Sequence, residues 1–443
     1  MPRALRHPAR IVPIAFGIAV LIGTVLLALP VSRAGPHGAP PLVALFTATS
    51  VVCVTGLAVV DTATYWSPFG HVVLLVLMQI GGIGIMSLAS LLGLLTARRL
   101  GLRSQLIAQA ETHSPALGDV RGILARVALW TVVVEAVTAV ALTLRFWLGY
   151  DYSFGKAAWY GVFHALSAFT HTGYALFPDS LVGFVGDWWI ILPIVAAVVV
   201  GSLGFPVIHE LTRELGRPRS WSVHTKITVY GSAFLLAFGV VMMLAFEWSN
   251  PNTFGPLGVS DKVVAALLQG ATPRSAGFNS VDFGQMRTET LFGTDALMFI
   301  GGGSAGTAGG IKVTTFFLLA FVILAEVRGD REVTVGRRAI DESTQRQALT
   351  VALLGVALVA TGTVLLLALT PYSLDRVLFE VISASATAGL STGITASLPA
   401  SAQVILIVLM YVGRVGTITA ASALALRQRQ RLYSYPKERP IVG

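Results

Sequence analysis

Cysteine and charge are what this sequence has least of. The single cysteine, Cys53, excludes an internal disulfide framework and any cysteine-based zinc site. Charged residues are 12% of the 443 positions, about half of the ~25% usual in a soluble domain. So few charges cannot cover the surface of a water-soluble protein of this length. Hydrophobic residues make up 54% and the mean hydropathy is +0.75, so a lipid bilayer is the solvent that suits the chain. The formal charge of +9 would suggest nucleic acid only if it formed one basic face.

Arg3, Arg6 and Arg10 precede an apolar run from Ile11 to Val31. The run is longer than the roughly 7–15 residues of a signal-peptide core, and no small-x-small cleavage site follows. It reads as a membrane helix, because about 20 apolar residues cover roughly 30 Å of hydrocarbon. Phe69–Ala97, Ile123–Leu148, Trp188–Ile208, Ile227–Phe246, Leu291–Ala325, Ala348–Leu369 and Ala402–Leu426 read the same way, giving eight spans. All are predicted helical, since lipid offers no water to an open backbone. With both termini inside, the outer segments hold only Arg33, Arg145, Lys156, Lys262, Arg274, Arg287 and Arg376. Nearly all other basic residues fall inside, as the positive-inside rule requires. The net charge therefore needs no nucleic acid to explain it.

Between the spans lie four apolar stretches too short to cross: Leu42–Cys53, Ala157–Phe169, Val263–Thr272 and Leu374–Ala386. Each alone could be a surface or packing helix. Aligned, they form a repeat of about 110 residues. Each leads to a glycine, Gly56, Gly173, Gly277 or Gly389, with Phe46, Phe163, Leu267 or Phe379 ten residues before it. A small residue stands six before it (Ser50, Ser167, Ala271, Ser383), and a large apolar or aromatic residue follows (Leu57, Tyr174, Phe278, Leu390). Ten helical residues cover about 15 Å, half the hydrocarbon thickness. A half-helix of that length entering from outside ends near mid-membrane, where its partly negative C-terminus favours a cation. Glycine then permits the reversal. Irregular backbone at that depth is tolerated where it is buried or lines a water-filled cavity. Four such loops around one axis make a ring of carbonyls that can replace a cation's hydration shell.

Residues 301–312 are the least helical part of any span. Gly301, Gly302, Gly303, Gly306, Gly309 and Gly310 are separated by Ser304, Ala305, Thr307 and Ala308. Each glycine costs about 1 kcal/mol of helix stability relative to alanine, so the span should break here. The segment also spells G-x-G-x-x-G and G-x-S-x-G. Neither has its βαβ or strand-to-helix context. An intramembrane serine hydrolase using Ser304 with His164 or His171 would leave the four-fold repeat unexplained. Lys312 closes the segment, and Arg414 lies within the last span. A cation at that depth costs about 2.5–3.5 kcal/mol on insertion scales, so each is expected to face a cavity or to hydrogen-bond across helices.

VCVTGLAVVDTATYW (52–66), QIGGIGIM (79–86), FHALSAFTHTGY (163–174), ATPRSAGFNSVD (271–282), MFIGGGSAGTAGGIKVTT (298–315), STGI (391–394), YVGRVGTIT (411–419) and the closing YSYPKERPIVG resemble the potassium-translocating subunits of the Ktr uptake systems, within the TrkH/Trk/HKT superfamily. The resemblance covers nearly the whole chain. No long extra N-terminal helical region is seen, which favours the Ktr-type over the TrkH-type member. The resemblance implies an all-α membrane protein of four helix–pore helix–helix repeats (1–100, 101–215, 216–338 and 339–443) around one pseudo-four-fold pore. It implies no enzymatic activity. Potassium would be bound by Val54, Thr55 and Gly56; His171, Thr172 and Gly173; Ser275, Ala276 and Gly277; and Thr387, Ala388 and Gly389. Segment 301–310, with Lys312 and Arg414, would gate the pore. Sodium is a candidate coupling or activating ion, and a sodium-conducting relative is the alternative. The implied partners are a cytosolic nucleotide-binding subunit of the KtrA type and a second copy of the chain, in a cell membrane. His171 departs from the pattern and stands either beside the pore, where it could titrate, or facing away from it.

Overall fold

The computed structural model describes residues 8–99, 120–336 and 338–426. The basic residues 3, 6, 103 and 337 and the closing segment 427–443 lie outside the described residues. The chain is mostly helical, and long and short helices alternate. The first group is α1 (Pro8–Ala28), α2 (Pro41–Val52), a single turn α3 (Thr62–Tyr65) and α4 (Pro68–Arg99). Then come α5 (Val120–Gly149), α6 (Phe154–Thr170), α7 (Trp188–Leu203) and α8 (Phe205–Glu214). The third group is α9 (Val223–Glu247), α10 (Val259–Ala271), α11 (Thr288–Ile300) and α12 (Val313–Arg328). A small antiparallel hairpin, β1 (Thr334–Val335) with β2 (Arg338–Ala339), precedes α13 (Glu342–Leu369), α14 (Leu374–Ser385) and α15 (Ala400–Leu426).

Among the described residues, Leu124–Gly149, Val223–Glu247 and Glu342–Leu369 are long and apolar enough to cross a membrane, and α7 with α8 makes a bent fourth. Val12–Ala28, Pro68–Gly84 and Ala400–Gly416 add shorter apolar lengths. The outer faces of the long helices carry Leu129, Val133 and Val137 on α5, Phe234, Phe238 and Val241 on α9, and Leu353, Val356 and Val364 on α13. An apolar outer face is what a lipid environment allows and water does not. The short helices α2, α6, α10 and α14 form the interior. Phe46, Phe163, Leu268 and Phe379 are fully buried on them.

The predicted span Trp188–Ile208 is not one helix. It breaks at Gly204 (φ +85°), and α7 and α8 meet at a bend of 101°. A Cβ at Gly204 would strike the Ser304 carbonyl and come within 3.0 Å of the Gly306 nitrogen. The glycine-rich segment is thus wedged against the break, and Pro206 restarts the helix with no N–H to lose. The span Leu291–Ala325 breaks as its glycines predict, between Ile300 and Val313. Arg274, expected on the outer side, is instead buried, with Nη1 donating to the Ser232 carbonyl of α9 at 3.2 Å.

Candidate functional site

The four short helices end at Val52, Thr170, Ala271 and Ser385, and the chain then turns in the same way four times. Two residues before each glycine, Val54, His171, Ser275 and Thr387 have φ of 56°, 65°, 77° and 50°. The glycines follow at 101°, 71°, 72° and 84°. A β-branched residue such as Val54 or Thr387 in the left-handed region is a genuine outlier, and such strain is held only where the surroundings over-determine it.

Each turn is closed by the N–H just before the glycine, which reaches back to the helix end. Thr55 N donates to Ser50 O (2.7 Å), Thr172 N to Ser167 O (2.9 Å), Ala276 N to Thr272 O (2.9 Å) and Ala388 N to Ser383 O (2.8 Å). This matches Ser50, Ser167 and Ser383 with Thr272, not with Ala271, and Phe46, Phe163 and Phe379 with Leu268, not with Leu267. The third stretch is one residue shorter between its buried anchor Leu268 and its glycine, which a fixed-offset alignment could not show.

The four glycines form a closed cycle. A Cβ on Gly56 would lie 2.5 Å from the Thr172 carbonyl oxygen, and one on Gly173 2.7 Å from that of Ala276. One on Gly277 would lie 3.4 Å from that of Ala388, and one on Gly389 would collide with that of Thr55. Each glycine therefore abuts the next loop's carbonyl, and the fourth abuts the first. Only glycine fits, both for φ and for space.

Two of the carbonyls one residue earlier, those of Ser275 and Thr387, are engaged elsewhere. His171 Nδ1 faces Ser275 O at 3.0 Å, and Ser275 Oγ donates to Thr387 O at 2.5 Å. His171 Nε2 faces Val198 O of α7 at 2.8 Å. The imidazole is therefore fixed between α7 and the third loop, and it ties two loops together.

Residues 301–312 pack against this cycle. Gly309 N donates to Ser275 Oγ at 2.9 Å, and a Cβ there would collide with Ala386 O and Thr387 Oγ1 of the fourth loop. Thr307 Oγ1 donates to Phe169 O at 3.0 Å, near the end of α6. On the other side, Gly303 N and Thr307 N donate to Ser202 O and Gly201 O of α7. Both cations hold the segment: the buried Arg414 donates from Nη1 to Thr307 O, and the half-buried Lys312 from Nζ to Ala308 O, each at 2.6 Å. Ser304 Oγ pairs with Thr314 Oγ1 at 2.9 Å, while His164 and His171 bond backbone groups elsewhere. No Ser–His pair is assembled here for nucleophilic chemistry.

The sequence identified the four glycines, segment 301–312, Lys312 and Arg414, and the structure brings them together. It missed the role of Ser275, whose hydroxyl links the third loop, the fourth loop and the glycine-rich segment. It also missed the polar side chains on the short helices described below.

Residues 1–432 match the sequence model of TrkH, described as a cation transport protein, and the chain belongs to that family of ion transporters. It is 37% identical over 436 residues to the Ktr system potassium uptake protein B of Bacillus subtilis (strain 168), covering 98% of this chain and 97% of that one. It is 36% identical over 435 residues to the protein of the same name from Vibrio alginolyticus, covering 98% and 94%. The crystal structure of the potassium transporter TrkH from Vibrio parahaemolyticus superposes with a TM-score of 0.66 at 20% identity, over 92% of this chain and 84% of that one.

Proposed function

We propose that this chain takes up potassium ions through the carbonyls of Thr55, Thr172, Ala276 and Ala388, with segment 301–312 as the gate. The observation that carries this reading is the cycle of glycine-to-carbonyl contacts among the four loops. Carbonyl oxygens replace the hydration shell of the entering ion, and the C-termini of α2, α6, α10 and α14 add partial negative charge. The names of the two relatives support potassium as the ion. One short ring gives fewer sites in single file than a long filter, and hence looser selectivity.

The gate reading rests on the bonds of Arg414 and Lys312 to Thr307 O and Ala308 O. Two positive charges on the segment next to the ring retard a cation until the segment moves. Four repeats, eight crossings with both termini inside, and residence in the cell membrane complete the reading, supported by the apolar runs and the distribution of basic residues. The relatives' designation as protein B of a Ktr system supports a system of more than one subunit, and control by a separate cytosolic nucleotide-binding subunit is part of the proposal. A homodimer with one pore per chain, and sodium as a coupling ion, are further parts of the proposal. The test is uptake in a host lacking its own potassium transport. Wild type should accumulate potassium in preference to sodium, and Gly56→Asp or Gly277→Ser should erase that preference. An unchanged preference in both variants overturns the filter, and a wild-type preference for sodium overturns potassium.

A further inference from the structure

The residue after the buried anchor of each short helix occupies one equivalent position: Thr47, His164, Gln269 and Glu380. In three repeats this side chain does the same work. His164 Nε2 accepts from the Leu176 backbone N–H at 3.2 Å. Its Nδ1 lies 2.7 Å from the Tyr160 carbonyl, which fixes the proton on Nδ1 and leaves Nε2 as the acceptor. Glu380 Oε1 accepts from the Thr392 N–H at 3.0 Å and the Ser391 hydroxyl at 2.6 Å, and Oε2 accepts from the Thr395 hydroxyl at 2.7 Å. Gln269, with its amide oxygen turned to the donors that face it, accepts from Ser280 N–H at 2.9 Å and Val281 N–H at 3.1 Å.

Leu176, Ser280 and Thr392 each stand three residues past their glycine. All three acceptors are fully buried. The first repeat differs. The Thr47 hydroxyl is buried without a partner, and the first loop is held instead by Ser50 Oγ, which accepts from Gly56 N at 3.1 Å, and by the Tyr174 hydroxyl, which donates to Leu57 O at 2.9 Å.

We propose that His164, Gln269 and Glu380 are positioning residues of the ring: each anchors the limb leaving its own loop by accepting the N–H three residues past the glycine, and the first loop is positioned by its neighbour's tyrosine. This deepens the filter reading and rests on it. A limb without other secondary structure needs an acceptor for that N–H, because lipid supplies none. An imidazole, an amide and a carboxylate share only this acceptor function, so the role lies in the hydrogen bond and not in charge. Glu380 takes the most donors and holds the fourth loop most firmly.

The test is the potassium-to-sodium uptake ratio in proteoliposomes, with the amount of folded protein measured alongside. Glu380→Leu, which removes several hydrogen bonds, should lower the ratio by at least about tenfold, and Gln269→Leu, which removes those of a neutral amide, by about threefold or more. Glu380→Gln keeps an acceptor and should stay within about twofold of wild type, and Thr47→Val should change nothing. If the leucine variants fail to fold, replacing Leu176 by its α-hydroxy acid removes only the N–H and should lower the ratio in the same direction. The proposal falls if folded leucine variants or the ester keep the wild-type ratio, or if Glu380→Gln is as damaging as Glu380→Leu. If Gly277→Ser shifts the ratio and these variants do not, the positioning role alone fails. If Gly277→Ser and Gly56→Asp also leave it unchanged, the filter reading fails first.

Discussion

Replacing Arg414 with glutamine tests the gate most directly. The guanidinium is 2% exposed and donates to the Thr307 carbonyl at 2.6 Å, in the middle of the glycine-rich segment. A hydrogen bond to a charged group contributes about 1.5–3 kcal/mol. If the bond forms only while the segment blocks the path, its loss shifts the shut-to-open ratio by about 10- to 100-fold, since 1.4 kcal/mol is a factor of ten. Removing a positive charge near the ring lowers the barrier to a cation in the same direction. Initial rates of rubidium or potassium uptake into proteoliposomes, per folded protein, should therefore rise by a factor within that range. Arg414→Lys keeps the charge but loses the planar fork, and should fall between wild type and glutamine. A folded Arg414→Gln protein with wild-type or slower uptake would refute the assignment of Arg414 to a closed gate.

Deleting Gly303–Ala308 removes the Thr307 contacts to Phe169, Gly201 and Arg414 together, and uptake should again rise; an unchanged rate counts against the gate. Gly204→Ala forces a Cβ toward Ser304 O at a backbone conformation (φ 85°, ψ 150°) that only glycine ordinarily adopts, which costs about 1–3 kcal/mol. It should lower the melting temperature and raise basal flux, as read by thermal scans and uptake. On α8, past the bend and beyond the end of the expected span Trp188–Ile208, the Glu210 carboxyl is held below its ordinary range: burial opposes the shift, but the Thr225 hydroxyl and the Ser222 N–H and hydroxyl outweigh it. A depressed carboxyl stabilises the fold above its unfolded pKa, and that contribution is lost as pH falls through the folded value. Glu210→Ala should therefore melt below wild type at neutral pH, with the gap closing in acid; a gap independent of pH would show that the carboxylate is not responsible.

The sequence alone determined the solvent, the number of apolar runs, the four short stretches and their glycines, because these follow from composition, length and local backbone freedom. The break at 301–312 was legible for the same reason. Tertiary structure decided what depends on neighbours distant in sequence. A left-handed valine or threonine is tolerated only once the other loops surround it. The bend at Gly204 packs against Ser304, whose carbonyl fills the space a Cβ would need. Arg274 counts as an outer charge along the chain and becomes buried only when α9 packs over it. The third repeat's missing residue emerged from a hydrogen bond between Ala276 and Thr272, which no fixed spacing encodes. The acceptors His164, Gln269 and Glu380 stand in the sequence as polar residues in apolar helices, but nothing along the chain says what they accept from. Which N–H each one meets was settled by the return path of its loop, and that path exists only when all four loops close on one another.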